Sequence, residues 1–253
     1  MPAMKHLALF TVTALLLLAG CTKQRKEAFS RQQAIAANDE DTFYGLVCDG
    51  SNDTILIYLP ELYEGTDPDT LDILDASKER HVFGTLRVGD RVAIIRDSAD
   101  AKKASTIIVT QDLLGQWCYK VKPTLKRRAG EDNAVREGSM GFEPDSIRQL
   151  LKEEREYGFV LKIDSMALPV GVRPSAIAEN DDSPVEYPVA KRYRQWHIHD
   201  GKLLLTEVMT DTTGNMIPLA TDTAELVMLS ADSLVLRFPD KEQSYYRKTE
   251  SPL

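Results

Sequence analysis

The sequence predicts a mainly β protein. A small β-barrel or sandwich occupies residues 40–112, and a larger antiparallel β-barrel with one short helix occupies 113–253. Three observations carry this. Short runs rich in Val, Ile, Thr, Tyr and Phe recur between Gly, Asp, Asn and Ser turns. Only the segment after Glu143-Pro144 has the i, i+3, i+4 spacing of a helix. Tight turns such as Asp200-Gly201 separate the later runs, which is hairpin chemistry.

In the first unit, Thr42 to Cys48 (TFYGLVC) and Thr54 to Leu59 (TILIYL) flank the turn Asp49-Gly50-Ser51-Asn52-Asp53. The runs at 70–74, 81–88, 91–96 and 105–111 complete the set. The Val88-Gly89-Asp90-Arg91-Val92 junction resembles that of small OB-like barrels, a group that often holds nucleic acid. Charge decides against such a partner here. Residues 40–112 carry 15 acidic and 7 basic side chains, and the whole chain has a net charge of −8. A phosphate backbone needs a basic, aromatic face. The unit therefore reads as a structural or docking module.

The second unit opens on Gly115-Gln116-Trp117-Cys118-Tyr119. A polar loop follows. A helix is then expected from Glu143-Pro144-Asp145-Ser146 to about Glu156, because Pro suits a first turn and acidic groups suit its positive end. Its apolar stripe is Ile147, Leu150 and Leu151. The run 159–163 places Phe159, Leu161 and Ile163 on one face. Further strands are expected at 187–199, 202–208, 224–229, 233–238 and 244–248, joined by tight turns as in an up-and-down barrel. The segment 165–188 contains several prolines and no clean alternation, so its topology stays open.

Taken in order, Gly115-x-Trp117, "YGFVLKIDSMAL", Trp196, Asp200-Gly201, "DTAELVMLSADSLVLRF" and "YYR" resemble the lipocalin-like (calycin) domains of secreted bacterial lipoproteins. The resemblance spans about 113–250. It implies that Trp117 plugs one barrel end and that Arg247, on the last strand, packs across it. It also implies a fold more firmly than a ligand.

The N-terminus reads as an address, not as part of the fold. Lys5 and His6 precede the apolar run Leu7 to Leu18, too short to span a bilayer comfortably. The run ends in Leu18-Ala19-Gly20-Cys21, which resembles a bacterial lipobox. The implied division is a signal peptide over 1–20 and a lipidated tether over 21–39, with lipid on Cys21. Two acyl chains would anchor stably. No Asp follows Cys21, and no acidic run follows it either. By the rules known for lipoproteins, this favours an outer-membrane anchor facing the periplasm over one on the cell surface. Beyond the N-terminus no apolar run reaches the length of a membrane helix.

The candidate sites are few. In "RQWHIHDGK", alternation turns Trp196 and Ile198 inward and His197 and His199 outward. Two outward histidines need further ligands to hold a metal, and the only other histidine beyond the signal segment is His81, so no metal is expected. Trp117, Phe159, Leu161, Trp196, Tyr245 and Arg247 are the candidate ligand-lining or barrel-plug residues. Cys48 and Cys118 are candidates for one disulfide between the units in an oxidising compartment; a pair of free thiols is equally open. The run Lys120, Lys122, Lys126, Arg127 and Arg128 reads as a solvated loop that could also touch anionic headgroups.

Enzyme signatures such as Gly-x-Ser-x-Gly, a phosphate loop or His-Glu-x-x-His do not occur. No cofactor and no catalytic residue is expected. The sequence thus points to a non-catalytic envelope lipoprotein. It would bind a small apolar or amphipathic molecule, or dock an envelope protein partner, through the lipocalin-like domain. The alternative is a structural or accessory subunit of an envelope complex, with a filled barrel.

Overall fold

A computed structural model describes residues 42–61, 67–126, 145–171, 184–212 and 216–249. The signal segment, Cys21, the tether, Arg127 and Arg128, and residues 172–183 lie outside the described residues. Among the described residues, no helix is long and apolar enough to cross a membrane.

The first sheet has six strands: β1 (Thr42–Val47), β2 (Ile55–Pro60), β3 (Asp69–Asp72), β4 (Val82–Phe83), β5 (Arg91–Arg96) and β6 (Ala104–Val109). Their order is β3-β2-β1-β5-β6-β4. The sheet curls. A parallel bridge joins Asp72 to Lys103, and the Asp72 N–H donates to the Lys102 carbonyl at 2.9 Å. This brings the end of β3 beside the start of β6, and Leu56, Tyr58, Leu71, Val92, Ile94 and Ile107 fill the interior.

Two expectations are corrected here. The run at 70–74 ends early, and α1 (Leu74–Lys78) begins where the Asp72 carboxylate accepts the Leu74 N–H at 2.9 Å. The run at 81–88 is a strand only at Val82–Phe83. The chain turns at Gly84, and the Asp112 carboxylate accepts the Thr85 N–H at 2.8 Å, so residues after 84 leave the sheet.

After α2 (Thr110–Leu113) come β7 (Gly115–Val121), β8 (Thr124–Leu125), α3 (Asp145–Leu150), β9 (Arg155–Leu161), β10 (Ala167–Val170) and β11 (Val185–Glu186). The chain ends in β12 (Tyr193–His199), β13 (Lys202–Thr210), β14 (Met216–Leu229), β15 (Ser233–Arg237) and β16 (Glu242–Lys248). Eight of these form one antiparallel sheet in the order β10-β9-β7-β16-β15-β14-β13-β12, while β8 and β11 pair apart. The two edges of the sheet meet at one corner: Met166 bridges Gln195, and the Trp196 N–H donates to the Ser165 carbonyl at 2.9 Å. The result is the expected mainly β chain with a curled, lipocalin-like antiparallel sheet.

The second unit also departs from expectation locally. The helix stops at Leu150, because Arg155 already starts β9; none of its residues is buried. Ile163 is 60% exposed, although Phe159 and Leu161 are buried. The turn at Lys162–Ser165, with Ser165 at a φ of 61°, ends the alternation before Ile163. β12 starts only at Tyr193, and β14 begins eight residues ahead of the expected run at 224–229.

The two sheets share one apolar cluster. Phe83, Ala93, Ile108 and Leu113 pack with Trp117, Trp196, Ile198 and Leu203. This explains why β5 is apolar on both faces: Val92 and Ile94 point into the first sheet's core, and Ala93 into the second's. Polar contacts orient the seam. The Tyr44 hydroxyl donates to the Ile198 carbonyl at 2.8 Å, and the Thr42 hydroxyl accepts the Asp200 N–H at 3.0 Å. Asp200 and Gly201, at φ of 47° and 70°, form the β12–β13 turn that rests there. Positive φ at both central residues is the conformation that an Asp-Gly hairpin supplies.

Candidate functional site

The sheet has a packed end and an open end. Trp117 closes the first. It is fully buried, and its indole N–H donates to the Leu113 carbonyl at 2.8 Å. Arg247 pairs with Trp117 across the β7–β16 register. Its guanidinium carbon lies 4.1 Å from the indole centroid. Its N–H groups donate to the carbonyls of Asp112, Leu114 and Ala231. Gly115, at a φ of 118°, makes room: a Cβ there would fall 2.7 Å from an Arg247 nitrogen. Trp196 and Leu161 belong to the same filled region, and the Trp196 indole donates to the Lys162 carbonyl at 2.9 Å. These four candidates are packing residues in this geometry.

Phe159 and Tyr245 reach the open end. There they line a cavity of about 340 Å³ with Tyr119, Tyr157 and Tyr193, beside the β15–β16 turn. The rings form a connected chain. Tyr119 stands edge-on to Tyr245 at 5.3 Å and to Tyr157 at 6.2 Å; Phe159 lies 5.1 Å from Tyr245 and 6.2 Å from Tyr193. Such offset and edge-to-face pairs hold aromatic walls in place. One polar group interrupts this wall. The Tyr193 hydroxyl donates to Oδ2 of Asp222, and Lys191 Nζ approaches the same oxygen at 3.1 Å.

Burial, then the hydrogen bond to Asp222, pushes the Tyr193 phenol well above its ordinary range. Burial raises Tyr245 and Tyr119 as well. All three are therefore neutral at physiological pH. The cavity presents phenols, apolar ring surface and one carboxylate paired with a lysine. Apolar walls with a few polar groups are the general composition of small-molecule pockets.

Sequence reasoning missed Tyr119, Tyr193, Asp222 and Lys191. Tyr119 was accessible to it, two residues beyond Trp117 on the same face. Tyr193 was not. A bulge between Tyr193 and Gln195 places Tyr193 and Trp196 on one face although they are three apart.

The other candidates separate cleanly. Cys48 and Cys118 are free thiols, so the candidate disulfide is not formed. Cys118 is buried within β7, where Gln116 donates to its sulfur, and Cys48 turns to its own Leu46 carbonyl. Burial raises the Cys118 thiol. Trp196 and Ile198 point inward, His197 is half-buried and His199 exposed. Among the described residues, no group of three or more His, Cys, Asp or Glu side chains is placed to hold a metal. Lys120 and Lys122 are paired with Glu154, at 3.1 and 3.7 Å.

Residues 189–249 match the model of a family described as lipocalin-like. That span covers β12 to β16, including Tyr193, Asp222, Tyr245 and Arg247. A solved lipocalin-like protein from Bacteroides thetaiotaomicron VPI-5482 is similar at 18% identity and a TM-score of 0.28; the match covers 54% of this chain and 97% of that one. No curated protein matches the chain.

Proposed function

We propose that this chain is a non-catalytic cell-envelope lipoprotein whose lipocalin-like domain binds a small apolar or amphipathic molecule at the open end of its sheet. The observation that carries the reading is the cavity of about 340 Å³, walled by aromatic rings and holding one anchored carboxylate. A volume of this order suits a ligand of small-molecule size. The lipobox supports a lipid anchor on Cys21, and the residues after it favour the outer membrane on its periplasmic side.

The first sheet is read as an OB-like barrel. Its longer strands, β1, β2, β3, β5 and β6, run in Greek-key order, with β3 and β6 brought together in parallel. Its acidic balance argues for a docking or stopper role over nucleic-acid binding. A second reading, an accessory subunit of an envelope complex, has one observation in its favour. The outer β13–β14 hairpin exposes Met209, Met216, Ile217 and Leu219, and apolar side chains gathered in this way can mark a protein contact.

Mass spectrometry of the full chain extracted from membranes tests both parts. Under native conditions, a small molecule is expected to accompany the protein and to be released on unfolding. The intact chain is expected to begin at Cys21 and to carry acyl groups. A ligand-free protein that captures nothing from envelope extracts overturns the binding reading. A chain without acyl groups overturns the anchor.

A further inference from the structure

The polar groups of the cavity are unequally satisfied. Asp222 lies on the inward stripe of β14, two residues from Ala224 and four from Leu226. Tyr193 and Lys191 both contact its Oδ2. Its Oδ1 has no hydrogen bond among the described residues. Lys191 is the loosely held partner: its side chain is 57% exposed, against 29% for Asp222. The hydroxyls of Tyr119 and Tyr245 likewise make no hydrogen bond among the described residues.

A carboxylate only accepts hydrogen bonds. Aromatic rings carry a negative face that attracts cations. The rim adds one charge of each sign, Asp240 and Lys241, and so does not change the balance. A ligand acid would meet Asp222 as a like charge. A ligand amine would meet an open acceptor oxygen inside ring walls. Resting on the ligand-binding reading above, we infer that the cavity takes a primary ammonium group carried on an apolar or aromatic body, with Asp222 as its counter-ion and Lys191 as the cation it displaces. Lys191 then acts as an internal stand-in for the ligand's head group.

Calorimetric titration of the full chain tests this with three compounds that share one body: 4-phenylbutylamine, 4-phenylbutanol and 4-phenylbutyrate. The amine is expected to bind at least about tenfold more tightly than the other two, a difference of about 1.4 kcal/mol. If the alcohol or the acid binds as well as the amine, the charge assignment is overturned and the binding reading stands. If none of the three binds, the inference fails together with that reading for ligands of this class. Two variants probe the mechanism from opposite sides. Asp222→Asn is expected to abolish the preference for the amine. Lys191→Met keeps the Tyr193–Asp222 bond and removes the competitor, so amine binding should tighten several-fold; unchanged or weaker binding overturns the displacement.

Discussion

Trp117 and Tyr119 stand two residues apart on β7, on the same face of the same strand, yet Trp117 lies in the packed region and Tyr119 borders the cavity. Around Trp117 every group is occupied: an indole donor with its carbonyl, and a guanidinium with three carbonyls and a ring. The first sheet packs behind it. Around Tyr119 the rings touch one another but leave space, and the hydroxyls of Tyr119 and Tyr245 make no hydrogen bond among the described residues. One strand and one alternation thus give a plug at one end and an open cavity at the other. The difference lies in side-chain volume and in what covers each end.

The largest effect should come from breaking the packed end. Trp117→Ala removes a fully buried indole and leaves Arg247 without its ring, at an expected cost of about 3–5 kcal/mol, measured by chemical denaturation. A loss under about 1 kcal/mol would mean that the two ends do not differ as described.

A second expectation concerns pH. Tyr193, Tyr245 and Tyr119 have folded pKa values raised above the ordinary value of 10.0. Below pH 10 both states keep these protons and the phenols add no pH dependence. Above it the unfolded chain ionises first, so stability falls as pH rises. Ultraviolet titration should show phenols that stay protonated beyond pH 10 until the chain unfolds. Full titration of all tyrosines near pH 10 in the folded protein would place the rings in water instead.

The smallest effect sharpens the contrast. Tyr245→Phe removes a hydroxyl that makes no hydrogen bond among the described residues, and stability should change by less than about 0.5 kcal/mol. A loss of more than about 1 kcal/mol would show that this hydroxyl is structurally engaged.

The sequence was most legible where alternation and burial coincide. The run at 91–96 is β5 residue for residue, Trp196 and Ile198 are inward, and Asp200-Gly201 is the hairpin turn. The relation of Trp117 to Arg247 came from resemblance and is present as geometry. The open end was less legible. Phe159 and Tyr245 were expected as candidates, but Tyr193 was hidden by a bulge. Asp222 lies in the half of β14 that no pattern marks. Residues 216–221 there are exposed throughout, so their strand character comes from pairing with β13 rather than from burial. Pro218 is tolerated at the register shift after Glu207. A cavity is also a property of unfilled space, which no residue run encodes.

The β12–β13 turn seated on the first sheet has a kinetic consequence. Asp200 and Gly201 hold the base of the barrel against Thr42, and the filled core lies directly above it. Traffic through such a base would require the two sheets to separate. For a ligand in this cavity, the rim formed by Lys191 and the Phe238–Lys241 turn would serve both loading and unloading. Association and dissociation rates should rise or fall together when that rim is stiffened, leaving occupancy at equilibrium nearly unchanged while the time to reach it lengthens.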